Sequence, residues 1–405
     1  MAAQPLTQPG RLFLFALVAV TALGPLAMQI FVPALPFIQS DFGVSAGTAQ
    51  LSLSLSMASI AISTLAYGPL SDRFGRRPVL IVGLAIFLVG SLLCALAPSI
   101  EWLIFGRIVQ AAGGTAGMVL ARAMVRDVYA HERVASVLAM ITIAMVVAPM
   151  FAPAIGGLLT DAYGWRSNFT FGGLIGLGVI ALVVMRLVET NTRPPHHPGV
   201  SGMLQGFSLL LRSPAFCGYA FSGAFGLASF FSFVSAAPYL MVNSLGRPAA
   251  EYGVYFIAIS LAFMAGNAFT ARLSPRLGHD KMIVMGSVVA LIGVALLAFL
   301  ATVGVFAPWS LFGPTAIIVF GNGLAMANLQ AGALGIYPQS AGTASGLSGF
   351  IQMALAAVIA QAVGQLQDGT PWPMIGFMAG CLLLAFATFV YALRASARAA
   401  AARAG

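Results

Sequence analysis

The chain alternates between long apolar stretches and short polar gaps. Each stretch runs for about 20 residues or more, the length that an α-helix needs to cross the hydrocarbon core of a bilayer. The first one continues well past the short core of a signal peptide and lacks a clean cleavage site, so we interpret it as a retained span. The pattern predicts an all-α membrane protein with twelve transmembrane helices, at residues 12–37, 47–70, 78–97, 102–123, 134–159, 166–187, 214–241, 251–271, 281–302, 309–331, 342–366 and 372–393.

None of the gaps is long enough to form a soluble domain. The longest gap covers about residues 188–213 and follows the sixth span, so it divides the spans into six and six. Its prolines and the pair His196 and His197 are typical of a solvated connection. We therefore predict three regions, which are an N-terminal half at 1–188, a linker at 189–213 and a C-terminal half at 214–405.

A weak internal repeat supports this division. Segment 71–75 follows the second span and segment 274–278 follows the eighth, at a constant shift of 203 residues. Two parallel, pseudo-symmetric halves of six spans are typical of transporters that rock about a central site. The shift aligns four identical pairs, which are Ser71 with Ser274, Arg73 with Arg276, Gly75 with Gly278 and Gly83 with Gly286.

The basic residues are divided unequally between the two sides of the membrane. If the N-terminus is cytoplasmic, only Arg166 and Arg247 fall outside, and Arg107 lies within the fourth span. The positive-inside rule then predicts that both termini are cytoplasmic, in a cell (inner) membrane. The cytoplasmic side carries sixteen basic residues: Arg11, Arg73, Arg76, Arg77, Arg122, Arg126, Arg133, Arg186, Arg193, Arg212, Arg272, Arg276, Lys281, Arg394, Arg398 and Arg403.

Composition narrows the classes of protein further. Of 405 residues, 60% are hydrophobic and only 7% are charged, against about 25% charged residues in soluble domains. This excludes a soluble enzyme, a nucleic-acid binder and a disordered chain, and topology accounts for the net charge of +9. The three cysteines are far apart and the four histidines lie in polar gaps, so we expect no metal, no cofactor and no catalytic residue.

The most specific motif is GPLSDRFGRRP at residues 68–78. It resembles the G-x-L-a-D-r-x-G-r-r signature of the major facilitator superfamily, between spans 2 and 3. Glycine permits a tight turn there, and a charge cluster at a wet interface can form and break. By this resemblance, the residues of the conformational switch are Gly68, Asp72, Arg73, Gly75 and Arg76, and the end of span 4 adds Arg126 and Asp127.

Arg107 lies within span 4, where the family has an arginine linked to proton coupling. An arginine at a helix centre costs about 2.5–3.5 kcal/mol on insertion scales, so we expect it to face a cavity or a partner. The alternative is that Arg107 lies near the outer interface and extends its guanidinium to the headgroups.

Two further segments resemble exporters of this superfamily. APMFAPAIGG at 148–157 partly matches the antiporter signature G-x-x-x-G-P-x-x-G-G, through Pro153, Gly156 and Gly157. LAMQIFVPALP at 26–36 is similar to the first-span motif of the bicyclomycin/chloramphenicol-resistance (Bcr/CflA) branch of drug exporters, M-D-x-y-l-P-a-l-P. The resemblance to this branch covers nearly the whole chain.

The first-span motif departs from the branch at one position, because its aspartate is Gln29 here. A carboxylate can bind and release a proton, whereas an amide cannot. All ten acidic residues fall at span ends or in loops. The proton antiport that the resemblance implies therefore lacks its usual carboxylate, and a proton-independent facilitator stays open as an alternative.

The resemblance also implies that spans 1, 4, 7 and 10 line a central cavity. Aromatic and methionine side chains suit bulky apolar ligands, and a few amides would orient them. We expect Gln29 and Arg107 to act as a pair. The candidate substrate-binding residues are Met28, Gln29, Phe31, Arg107, Gln110, Phe225, Phe233, Tyr239, Asn322 and Asn328.

The resemblance, taken with the twelve predicted spans, implies a transporter that exports small amphipathic drugs, phenicol-like compounds among them, by alternating access, and we expect it to be a monomer. Its expected partners are a small-molecule substrate, the lipid bilayer and, if transport is coupled, protons; nucleic acid is not among them. An exporter of a physiological metabolite is a second hypothesis. A membrane-embedded enzyme or a receptor is a remote one, because no intramembrane nucleophile, acid pair or histidine cluster is visible.

Overall fold

A computed structural model describes residues 10–191, 199–337 and 341–404. Within these ranges the regular structure is helical, and twelve helices are long and apolar enough to cross a membrane. The predicted fold class and spans are confirmed, with ends shifted by a few residues. The helices are α1 (Arg11–Ile30), α2 (Leu35–Phe42), α3 (Ala46–Phe74), α4 (Arg76–Ala95), α5 (Ile100–Val128), α6 (His131–Tyr163), α7 (Arg166–Arg186), α8 (Gly199–Leu211), α9 (Pro214–Tyr239), α10 (Ala249–Leu277), α11 (His279–Thr302), α12 (Pro308–Ile336), α13 (Ala341–Gln365) and α14 (Trp372–Ala404).

The first span consists of two helices. A 3₁₀ turn at Val32–Ala34 separates α1 from α2, because Pro33 has no N–H to continue the α-helical ladder. Gly43, with φ of +63°, ends α2 in the left-handed region, and Ser45 caps α3 by accepting a hydrogen bond from the Thr48 N–H at 3.1 Å.

The bundle has two ends that differ in their packing. At one end, which we call the linker end, Gly75 joins α3 to α4 and α8 lies nearby. At the other, which we call the opposite end, Gly43 precedes α3. Towards the linker end each half has its own apolar core, around Leu120 in the N-terminal half and around Phe216 in the C-terminal half. Towards the opposite end a single core contains residues of both halves.

The linker region contains a helix that the sequence did not predict. Leu210 of α8 is fully buried in the core of the C-terminal half, and Gly206 lies against Thr343 of α13. At the start of the linker region, Glu189 contacts the N-terminal half by accepting a hydrogen bond from the backbone N–H of Arg76, the first residue of α4. The predicted boundary assigns Glu189 to the linker. His196 and His197 lie outside the described residues.

Candidate functional site

A cavity of about 210 Å³ lies between the two halves. Its walls come from α1 and α6 of the N-terminal half and from α9, α10 and α12 of the C-terminal half. The walls are mostly apolar, and Gln29, Ser260 and Asn322 are the three lining residues with polar side chains. The apolar part is built chiefly by Met145, Phe230, Phe256, Phe263 and Met326.

Hydrogen bonds close the bundle at the opposite end by joining one half to the other. Gln50 of α3 donates to Ser235 of α9 at 2.8 Å. Gln361 of α13 accepts from Ser54 at 2.6 Å and donates to the carbonyl oxygen of Gly47 at 2.9 Å. Neutral, buried or partly buried side chains therefore hold the two halves together at this end.

A second closure joins α6 to α10. The carboxylate of Asp161 accepts hydrogen bonds from the backbone N–H groups of Ala249 and Ala250, at 3.2 and 2.9 Å. Free N–H groups and the helix dipole make the start of α10 a favourable site for a negative charge. An acid of one half thus caps a helix of the other.

The residues of the partial antiporter motif lie beside this cap. A Cβ on Gly157 would meet the carbonyl oxygen of Ala249 at 2.4 Å, and a Cβ on Gly253 would meet the Cα of Ala154 at 2.3 Å. A Cβ on Gly156 would meet the Ile30 carbonyl oxygen at 1.7 Å. Glycine is thus required for α6 to pack on α10 and on α1, while Pro153 lies one turn away, inside α6.

Arg107 is buried inside the N-terminal half, with only 2% of its surface exposed. Its Nη1 donates to the Ala27 carbonyl at 3.2 Å and to the Gln110 side chain at 2.5 Å. The guanidinium also lies 3.9 Å from the centre of the Phe31 ring, a favourable cation–π distance. The arginine therefore faces partners within the half, and the headgroup alternative does not fit this position.

Gln29, which belongs to α1, and Arg107, which approaches α1 from α5, lie on different sides of this helix. Gln29 lines the cavity between the halves, whereas Arg107, Gln110 and Met28 line a separate pocket of about 10 Å³. Gln29 is 7% exposed, and its side-chain oxygen has no hydrogen-bond partner among the described residues. The two residues expected to act as a pair are thus not in contact through a described hydrogen bond.

The other predicted substrate residues are dispersed. Asn322 lines the cavity and donates to the Gly226 carbonyl at 3.2 Å. Phe233 packs edge-on against Phe312, with ring centres 5.1 Å apart, and Tyr239 is buried in the core at the opposite end. Phe225 packs partly buried against the same core.

Asn328 belongs to a hydrogen-bonded cluster at the linker end. Its side-chain oxygen accepts from Ser274 at 2.7 Å and lies 2.9 Å from Nδ1 of His279. Ser274 and His279 flank Gly278, which has φ of +84°, and this turn corresponds to the turn at Gly75 in the internal repeat. Asn328 is therefore placed in the counterpart of the switch and away from the cavity.

The predicted switch residues converge on Arg76 at the linker end. Arg76 pairs with Asp72, its Nε lies 3.2 Å from Asp127, and its Nη1 donates to Ser71 at 2.5 Å. The family resemblance implied that Asp72 and Asp127 share one charge network, and the structure brings both acids to one arginine. Each of these bonds joins elements of the N-terminal half.

The switch contains an acid that sequence reasoning missed. Glu189 accepts hydrogen bonds from the backbone N–H groups of Arg76 and Arg77, at 2.9 and 3.1 Å, and so caps α4. A Cβ on Gly75, whose φ is +94°, would lie 2.5 Å from this carboxylate. No local signal marks Glu189, because the residues that it caps are more than a hundred positions away.

Three other switch candidates lie at the edge of this network. Arg73 stacks on Phe74 with its guanidinium 5.1 Å from the ring centre, and Arg126 is exposed in the last turn of α5. Gly68 has open space where a Cβ would be. Arg73 and Arg126 therefore add positive charge at the linker end, and Gly68 makes no close contact there.

The ten acidic residues lie at helix ends or in loops. At the opposite end, Asp41 accepts from Trp165 and Arg166, both at 2.9 Å, within the N-terminal half. In the loop before α14, hydrogen bonds from Thr370 lower the pKa of Asp368. The walls of the cavity contain no carboxylate among the lining residues.

These features define a polytopic membrane transporter with two six-helix halves around a cavity closed at one end. The family model of the Major Facilitator Superfamily matches residues 17–361. The chain belongs to this superfamily.

Relatives with assigned names extend the match over most of the chain. A chloramphenicol resistance protein of Pseudomonas aeruginosa is 32% identical over 371 residues, covering 90% of this chain and 85% of that protein. A bicyclomycin resistance protein homolog of Haemophilus influenzae is 26% identical, covering 94% of this chain and 96% of that protein. The resemblance to this branch of the superfamily is confirmed.

A solved structure shows the same fold at low sequence identity. It is a bacterial homolog of the human lysosomal transporter Spinster, which superimposes with a TM-score of 0.74 at 16% identity. The match covers 95% of this chain and 96% of that one.

Proposed function

We propose that this protein exports small amphipathic drugs, phenicols among them, by alternating access. The observation that carries the proposal is the apolar cavity between the halves, closed at the opposite end by bonds that cross from one half to the other. The names of the relatives, which include chloramphenicol and bicyclomycin resistance, support drugs as the cargo.

In the proposed cycle, the two ends of the bundle open in turn. The observed conformation holds the opposite end closed through α3, α6, α10 and α13. Opening that end would break the Asp161 cap and the Gln50 and Gln361 bonds. The charge network around Arg76, which is formed in the observed conformation, would stabilise this state and rearrange when the linker end closes. Each bond contributes only about 0.5–1.5 kcal/mol net, so both states can be populated.

The orientation follows from the basic residues. Sixteen basic residues lie on the side of the linker end if both termini face the cytoplasm, against two on the other side. We therefore propose that the protein is a monomer in the cell (inner) membrane with its linker end in the cytoplasm. The cavity in the described conformation would then be closed towards the outside.

The branch that this chain resembles implies coupling to protons, but the cavity supplies no carboxylate for it. Gln29 stands at the position of the branch's aspartate and cannot titrate. We expect export by the wild type to depend weakly on pH between about 5.5 and 8, and Gln29→Asp to introduce or steepen this dependence.

The experiment is efflux of labelled chloramphenicol from proteoliposomes, with and without an imposed pH gradient. Wild type and Gln29→Asp are compared in the same lipid. Steep gradient-driven export by the wild type would contradict the expectation, and Asp41 and Glu101 would then be neutralised first.

Accumulation in cells tests export itself. Cells that express the wild type should retain less chloramphenicol than cells that carry the empty vector. Equal retention would argue against drug export and for the metabolite exporter. Export that persists with an uncoupler would favour a proton-independent facilitator.

A further inference from the structure

The cavity between the halves differs from most binding sites for charged drugs, because its walls carry no charge. Its polar side chains are Gln29, Ser260 and Asn322, which are all neutral. Its remaining surface consists of aromatic, methionine and aliphatic side chains together with Pro149 and Gly226. A bound molecule would therefore contact apolar surface on most sides and an amide or a hydroxyl at a few points.

Gln29 is the polar group with unused hydrogen-bonding capacity. It is more than nine-tenths buried, and its side-chain oxygen has no partner among the described residues. A buried polar atom that lacks a partner costs about 1–3 kcal/mol. The amide carries both donors and an acceptor, so a hydroxyl or amide group of a ligand complements it in either orientation.

A cation has no counter-charge in this cavity. The acidic residues lie at helix ends and in loops. The charged groups beside the cavity are both basic: Arg122 lies 3.3 Å from the sulfur of the lining Met145, and Arg107 bonds to the backbone of α1, the helix that carries Gln29. Transfer of an unpaired charge from water to such a site is costly. The pocket of Arg107 holds only about 10 Å³, which leaves no room for an anionic ligand there.

We infer that the cavity selects uncharged amphipathic molecules that carry a hydroxyl or amide group, which hydrogen-bonds to Gln29, and that it discriminates against permanent cations. This inference rests on the proposed function and names the substrate class of the same site. Apolar contact supplies the affinity, and Gln29 supplies the orientation.

The test is equilibrium binding of two labelled probes to the purified full-length protein. Chloramphenicol is an uncharged probe with hydroxyl and amide groups, and tetraphenylphosphonium is a permanent cation of apolar surface. The wild type should bind chloramphenicol at least about tenfold more tightly than tetraphenylphosphonium, because the cation lacks a carboxylate.

Variants of Gln29 separate the two parts of the inference. Gln29→Leu should weaken chloramphenicol binding about two- to tenfold through loss of one hydrogen bond and should leave tetraphenylphosphonium binding unchanged. Leucine at this position also removes an unpartnered buried polar group, so the variant should fold. Gln29→Asp should strengthen tetraphenylphosphonium binding about tenfold by supplying a counter-charge. Gln205→Asp, on the linker helix, is the matched control and should change neither affinity.

The outcomes distinguish the inference from the proposed function. Equal affinity of the wild type for both probes would overturn the inference and leave drug export in place. Unchanged chloramphenicol binding by a monodisperse Gln29→Leu protein would overturn the role of Gln29. Binding of neither probe would overturn the proposed function, and the inference with it.

Discussion

The cap that Asp161 places on α10 makes a quantitative prediction about the balance of conformations. Asp161→Ala removes a carboxylate that accepts two backbone hydrogen bonds from the other half. Loss of a capping side chain costs about 0.5–2 kcal/mol. Because Asp161 is exposed, solvent and salt screen its charge, and we take about 1 kcal/mol. The closed state at the opposite end should therefore lose about fivefold in population relative to open states.

Spin labels at the opposite end report this balance directly. Leu96 and Val303 directly follow α4 and α11 on that side, in different halves, and both are exposed. With the native cysteines replaced, electron-paramagnetic-resonance distances between labels at these positions should shift towards longer values in Asp161→Ala.

The matched control is Asp41→Ala, which removes an exposed carboxylate at the same end. Asp41 bonds to Trp165 and Arg166 within its own half, so its loss should leave the distance distribution unchanged. An unchanged distribution in Asp161→Ala, or an equal shift in both variants, would refute the role of the cross-half cap.

Three further predictions follow from the helix contacts and the charges. Asp72→Asn should strongly reduce chloramphenicol export, because it removes an acid of the charge network around Arg76. The membrane level should stay unchanged, since this pair is only partly buried and ion pairs near a surface contribute about 0–1 kcal/mol to stability; fluorescence size-exclusion measures the folded fraction, and wild-type export would contradict the switch. Gly253→Val should prevent α10 from approaching Ala154 and lower the thermal unfolding temperature, since overpacking costs about 1–3 kcal/mol; an unchanged temperature would contradict the close approach. A reporter that is active only in the cytoplasm should give signal when it is fused after Arg212, and periplasmic activity there would reverse the orientation.

The spans could be predicted from the sequence because a bilayer fixes the length of an apolar helix. The switch could also be predicted from the sequence, because the turn at Gly75 and the charged residues around Arg76 form a local motif. Glu189 could not be predicted, because a carboxylate that caps a helix distant in sequence produces neither a periodic pattern nor a characteristic spacing. The resemblance alone indicated Asp127 as a partner of the switch.

The cavity was predicted less well, for a physical reason. A helix face that meets lipid and a helix face that lines an apolar cavity have similar composition, so periodicity does not separate them. The contributions of α6 and α10, such as Met145 and Phe256, were therefore missed, and Phe233 and Asn328 were assigned to the cavity although they pack elsewhere. Gln29 and Asn322, which are polar residues within spans, were predicted and lie in its walls.

The glycine contacts between α6 and α10 affect how fast the halves can move as well as where they rest. Gly157 and Gly253 place backbone against backbone, without side chains that interlock across the interface. Two helix faces that meet through glycine can separate and slide without the side-chain rotamer changes that interdigitated leucines would require. The activation barrier to opening should therefore be low even though the closed packing is tight.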